Sequence, residues 1–444
     1  MATADPQNGV RQVTQNQSVE GLVKIGEDGR PTSWLARSWE FAPNGRTLKL
    51  HLRPDVTFHD GSPVTAPSVA KILDRLLPSF MGPAFADVEQ ITAPGKTELD
   101  IALRQSSPFV LEALELQFRS PTAASAGTGP FEPVGPASPS ELRANDHYYL
   151  GRPVIDRIAV NTYPTARAAW AEMLRDHLDM LYDVGPDALD SLERSNQILV
   201  FNYVRHYQYA LIFNTQKAAL RSPKVRRALS EAIDRDALVR QALNGHGVPS
   251  SGPIWPRHWA VGSDLEKFTF DPEKAAKVLA GRRLHFTCLV PPDYERLALA
   301  VKRQLEAVDV TMDVKELPPD GIYDAMVRRD FDAVLFDVIS GPSLFRPFLW
   351  WHSGASNPAG FASPVVDAAL DRIRHAAADD EYRSGVAAFQ HATIEDPPAI
   401  FLAWSERARA VSKRFVVPDA EPGRDILFNL RLWKPAADER ASRN

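Results

Sequence analysis

The chain has 444 residues, 44% hydrophobic and 24% charged. At about 150 residues per domain, that length supports roughly three units with large buried cores. Its 51 basic and 56 acidic side chains leave a formal net charge of -5, which gives no case for nucleic acid, and no apolar run is long enough to span a bilayer. Cys288 is the only cysteine. It lies in LHFTCLV and reads as a small buried hydrophobe, and with no second cysteine the chain gives no redox clue to its compartment. The opening MATADPQNGVRQVTQ has neither the basic start nor the apolar middle of a secretory leader. Three readings stay open there: a mature form, a shortened precursor or a cytosolic protein.

The first segment, GVRQVTQNQSVE, reads as a helix and GLVKI as a strand. Leu48, Leu50 and Leu52 then alternate with Thr47, Lys49, His51 and Arg53, the period of a half-buried strand. Asn44-Gly45 and Asp60-Gly61 mark turns on either side. Thr65 is placed to cap a helix whose apolar stripe is Val69, Ile72, Leu73, Leu76 and Leu77. ELDIALR is a further strand, and Thr128-Gly129-Pro130-Phe131 closes this unit. Next come a strand at 156–160, a helix at 166–178 and the fully apolar strand YALIFNT. Ser222-Pro223 opens one helix and Asp234 a second, which ends at Asn244-Gly245. Residues 271–338 alternate between helix and strand, with Leu284 to Val290, Val308 to Val314 and FDAVLFDV as the strands. That order predicts a sheet covered by helices. Two helices near 363–377 and 381–394 follow, and AIFLAW is a last buried strand. The fold class is α/β.

Six blocks in order resemble the family 5 extracellular solute-binding proteins, the peptide and nickel binders of ABC importers. They are WLARSWEFAPNGRTLKLHLRPDVTFHDGSPVTAPSVA, GTGPFEPV with LRANDHYY, RDHLDMLYDV, LIFNTQKAALRSPKVRRALSEAIDRDALV, GHGVPSSGPIWP and IEDPPAIFLAW. In RDHLDMLYDV only Asp179 survives from the family's Gly-Glu-x-Asp turn. The resemblance implies two α/β lobes joined by a hinge, with an extra subdomain inserted in lobe one. By family position, residues 1–45, 128–252 and 406–444 form lobe one, 46–127 the inserted subdomain and 253–405 lobe two. It implies a receptor that takes a peptide-like or other small organic solute between its lobes and delivers it to a membrane ABC permease. Such a receptor works as a monomer in the periplasm or another extracytoplasmic space, and needs no cofactor. A cytosolic ligand-sensing or regulatory domain on the same fold is the alternative.

The same resemblance places Arg11, Gln12, Tyr207, Tyr209, Asp337, Arg346, Trp350, Trp351 and His352 along the cleft. Arg346 suits a bidentate grip on a carboxylate or phosphonate, unless it simply faces solvent. Trp350 and Trp351 suit stacking on a planar ligand, unless one packs in the core. One of Tyr207 and Tyr209 is expected to face the cleft, and the other the core. Peptide binders of the family often set an aspartate after the strand FDAVLFDV to meet the ligand's α-ammonium. Gly341 stands there instead. The pair His59-Asp60 reads as a turn rather than a metal site, because no spaced set of ligands completes a shell. No nucleophile elbow, phosphate loop or zinc-protease helix appears in the sequence, so binding rather than catalysis is expected.

Overall fold

The computed structural model describes residues 1–3, 8–135, 140–184, 186–418 and 424–437. Its backbone is one large mixed sheet. The strands that frame it are β1 (Ala2–Thr3), β2 (Asn161–Thr162), β3 (Met180–Val184), β4 (Ile198–Phe213), β5 (His285–Val290), β6 (Thr311–Glu316), β7 (Ala333–Ile339) and β8 (Ala399–Ser412). Their spatial order is β2-β1-β3-β8-β4-β7-β5-β6. Each end is a parallel triplet, β2-β1-β3 or β6-β5-β7. Each triplet closes against a long antiparallel strand, β8 beside β3 and β4 beside β7. The two ends are therefore the two lobes, built to one plan.

Among the described strands, only β4 and β8 run through both lobes. They pair over Ile198–Val204 in lobe one and over Gln208–Ile212 in lobe two, and the ladder breaks between Val204 and Gln208. Tyr207 already pairs with Ile339 of β7, so the crossing is confined to a few residues around His206 and Ser405.

Helix α1 (Asn8–Ser18) follows β1. The inserted subdomain has a four-stranded antiparallel sheet between Ala36 and Leu103. Leu48, Leu50 and Leu52 are buried in it, as the alternation predicts. Helix α2 (Ala66–Met81) packs on the sheet and opens with a capping box between Thr65 and Ser68. Helix α3 (Pro108–Ala113) follows.

Helices α4 (Pro223–Glu231) and α5 (Arg235–Ala242) start at Ser222 and Asp234. They bury Val225, Leu229, Leu238 and Val239 in the same core as β5, β6 and α6 (Glu295–Glu306). Residues 207–242 thus share the core of lobe two, ahead of the division expected at 252. Asn214 donates to the Phe331 carbonyl of lobe two at 2.9 Å. The helix expected over 166–178 ends at Leu174, and Asp176 takes φ 63°. In the helix Pro319–Arg328, Ile322 and Met326 are buried while Tyr323 and Val327 face outward. Cys288 is fully buried, and burial pushes its thiol up to about 12.

The C-terminal helices of lobe two are α7 (Phe345–Trp351), α8 (Pro364–Arg374) and α9 (Asp379–Glu395). The inserted subdomain packs on them through two buried acids. Asp87, 2% exposed, receives Arg374 bidentately at 2.7 and 2.8 Å and Ser107 Oγ at 2.8 Å. Burial raises this carboxyl, but donors from His375 and Arg374 outweigh it and hold the group at about 2. Glu112 of α3 accepts from Ser343 Oγ, from Phe345 N at 3.2 Å and from Tyr382 OH at 3.0 Å. Removing one partner of a buried ion pair strands the other charge. Arg374→Leu is expected to cost about 3 kcal/mol in urea unfolding at neutral pH. Because the folded pKa lies below the unfolded one, the wild type keeps this contribution above about pH 4 and loses it as pH falls through about 2. A neutral effect of the substitution at pH 7 would contradict this account.

Candidate functional site

A chamber of about 610 Å³ opens between the lobes. Lobe one contributes Gln15 and Gln17 of α1, Glu20, and Phe428 with Arg431 from the C-terminal segment. The inserted subdomain adds Phe80, Glu115 and Gln117, and the hairpin after α1 adds Lys24 and Trp34. His206 of the crossing, Pro342 and Arg346 close it from lobe two.

Two glycines let these walls meet. A side chain on Gly127 would put its Cβ 1.9 Å from the Ser18 carbonyl oxygen, and one on Gly21 would lie 2.7 Å from the Glu115 carbonyl oxygen. The 126–130 turn can approach the end of α1 only without a side chain. His59 fixes the same turn. Its Nε2 lies 2.9 Å from Gly129 O, and its Nδ1 accepts from Gly127 N at 3.2 Å. Asp60 accepts from Ser62, Ser120 and Thr122.

Glu20 is 1% exposed in the chamber wall. It accepts from Trp34 Nε1 and Tyr148 OH at 2.7 Å each, Thr128 Oγ1 at 2.9 Å and Tyr149 OH at 3.3 Å. Burial raises its carboxyl to about 7, with the four donors only partly opposing the rise. Across the opening, Arg346 donates to Glu115 Oε1 at 2.6 Å and its guanidinium lies 5.0 Å from the Phe80 ring centre. Lys24 Nζ sits over Phe428. His206 lies 3.2 Å from Glu27 Oε1 and edge-on to Trp255.

Of the residues placed on the cleft by sequence, Arg346 lines this chamber. Arg11 is exposed on α1, and Gln12 accepts from Tyr182 OH at 2.6 Å. Tyr207 is half-buried under Arg205 at 4.1 Å. Tyr209 is buried in the lobe-two core, with its OH 3.1 Å from Ser405 Oγ and its ring against Tyr294. The two tyrosines share one strand face, since the side-chain period is two, and His206 and Gln208 take the other. Asp337 pairs with Arg205 at 3.3 Å. Trp351 is fully buried against Phe401, and Trp350 is tilted against it and half-buried. His352 packs on Phe348, 3.4 Å from Asp371. A Cβ on Gly341 would lie 2.9 Å from that of Trp255, so this loop is closed by an indole.

The family profile described as bacterial extracellular solute-binding proteins, family 5 Middle, matches residues 30–360. The chain belongs to the family 5 bacterial extracellular solute-binding proteins. Among relatives of this family, the probable D,D-dipeptide-binding periplasmic protein DdpA of Escherichia coli is 23% identical over 93% of this chain and 88% of its own length. The nickel-binding periplasmic protein of Escherichia coli is 29% identical over 60% of this chain and 55% of its own. In structure, NikZ from Campylobacter jejuni in complex with Ni(L-His) superposes with a TM-score of 0.82, at 22% identity and 94% coverage of both chains. AppA from Bacillus subtilis in complex with a nonapeptide gives 0.80, at 21% identity and 98% and 95% coverage. These likenesses fix the two-lobed fold. No helix among the described residues is long and apolar enough to cross a membrane.

The sequence reading passed over Glu20, Trp34, Phe80, His206 and Phe428. Only Glu20 left a signal, as a lone acid inside the apolar run VEGLV. Its raised carboxyl means that the folded state binds more protons than the unfolded chain between about pH 4.5 and pH 7, so stability falls as pH rises through that window. Glu20→Gln is expected to flatten this fall by up to about 3 kcal/mol, read as the difference in urea unfolding free energy between pH 5 and pH 8. An unchanged slope would show that Glu20 is ionised at little cost.

Proposed function

We propose that this protein is an extracytoplasmic receptor that captures a small organic solute between its lobes and hands it to a membrane ABC permease, acting as a monomer in the periplasm. The observation that carries this reading is the chamber itself. Its walls come from both lobes and from the inserted subdomain, and β4 and β8 are the strands among the described residues that run through both lobes. A solute touching both walls gains its full contacts only when the lobes are shut, so it draws the population toward the closed state. Moving from about 1% to 99% closed takes roughly 5.5 kcal/mol of preference. Aromatic surface at Phe80, Trp34 and Phe428, with one charge-assisted contact, is of that order. The lobes divide at 204–208 and 404–406, where the long ladder is interrupted.

The role is binding and delivery. The buried acids Glu20 and Glu112 are occupied by donors that hold walls together. The peptides and nickel complexes named for relatives span unlike chemistries, and Gly341 under Trp255 leaves no room for an acid to receive a peptide amine at that loop. The comparisons give the cytosolic alternative no support.

Small-angle scattering tests the mechanism. A bound solute is expected to reduce the radius of gyration, and Phe80→Ala to weaken that solute's binding without lowering the melting temperature of the unliganded protein by more than a few degrees. Solutes that bind and leave the radius unchanged would remove lobe closure from the account.

A further inference from the structure

Beside the main chamber lies a second cavity of about 480 Å³, lined by Arg75, Arg119, Ser120, Thr122, Gln15 and Gln117. Gln15 and Gln117 belong to both cavities, and Gln15 Nε2 donates to Gln117 Oε1 at 2.8 Å. One side-chain amide pair therefore partitions the two spaces.

The annex is cationic without its own counter-charge. Among the described residues, neither Arg75 nor Arg119 has a carboxylate at ion-pair distance or a hydrogen-bond partner. The Nε of Arg119 is buried with nothing to donate to. An unmet buried donor on a cation is costly, and a ligand oxygen that reached it would recover that cost. Two acids that bond to or neighbour its lining, Asp60 and Glu115, are engaged elsewhere. Asp60 takes the hydroxyls of Ser120 and Thr122 at 2.6 and 3.0 Å, and Glu115 holds Arg346 at 2.6 Å.

We propose that this annex is an anion-recognition subsite of the cleft and that the solute is an organic acid. Its carboxylate, phosphonate or sulfonate lies between Arg119 and Arg75, and its apolar body reaches past the Gln15–Gln117 pair toward Phe80 and Phe428. The planar guanidinium of Arg119 offers parallel donors that match such a group bidentately. Arg75, exposed on α2, adds charge and steers the ligand in. The subsite rests on the reading of the protein as a solute receptor and names the chemical class it takes.

Calorimetric titration of the full chain with benzoate, phthalate and phenylphosphonate, each beside its uncharged amide or ester, tests the subsite. At least one acid is expected to bind about 100-fold more tightly than its uncharged partner. Arg119→Gln is expected to erase that advantage, Arg119→Lys to restore part of it, and Arg75→Gln to weaken the acid about tenfold with a smaller salt dependence. Uncharged partners binding as well as the acids, full acid affinity in Arg119→Gln, or no acid binding at millimolar concentration would each overturn the subsite. If neutral or cationic solutes instead bind and compact the protein, the receptor reading stands and only the anion subsite falls. If no solute of any class binds, both fall together.

Discussion

The antiparallel pairing of the two long strands is the constraint on which the molecule depends. Ile198–Phe213 and Ala399–Ser412 each serve as an inner strand of both lobes. Both lobe cores therefore converge on the same ribbon, and the ribbon must stay intact for either to close. Between Val204 and Gln208 the ladder is broken, and the backbone there turns to other partners. Ser340 N donates to His206 O at 3.1 Å and Gly341 N to the same oxygen at 3.3 Å. Rigidity on both sides of a short irregular stretch is what a hinge requires.

A second set of contacts decides what moves with what. The inserted subdomain departs from lobe one in sequence, yet its buried acids Asp87 and Glu112 are gripped by Arg374, Ser343 and Tyr382 of lobe two. The hairpin tip near Glu27 is held there as well, with Trp255 Nε1 donating to Glu27 O at 2.6 Å and Trp259 N to Asp28 O at 2.8 Å. The chamber's roof is thereby fixed to lobe two, while its opposite wall, α1 with the C-terminal segment, stays with lobe one. Arg346 and Glu115 meet within the roof and do not cross the gap.

Local physics made much of this fold legible. The alternation at Thr47–Leu52, the Thr65 cap and the Ser222-Pro223 start all describe short-range preferences, and the structure keeps them. The family blocks supplied the two-lobed plan, which no local pattern contains. What the sequence concealed is long-range. The lobe boundary near 205 lies inside a continuous strand, so no turn or breaker marks it. Tyr207 and Tyr209 look alike in sequence, and the lobe-two core claims Tyr209 through contacts with Tyr294 and Ser405, nearly 90 and 200 positions away. Trp351 looks like Trp350 in sequence, and packing on the distant Phe401 within the buried core draws it inward. The chamber residues Phe80 and Phe428 lie almost 350 positions apart, and no periodicity could join them.

Gly341 carries a consequence for any attempt to retune this receptor. The indole of Trp255 stands where a side chain at that loop would project, and Trp255 is itself wedged edge-on against Trp404 and His206. Installing an acid at position 341 is thus not a local edit. An aromatic stack must first be dismantled, and with it part of the floor beneath the hinge. Packing, rather than the chemistry of the pocket wall, forbids the conversion to an amine-gripping receptor, and a lineage wishing to recover that preference would have to shrink residue 255 before it could change residue 341.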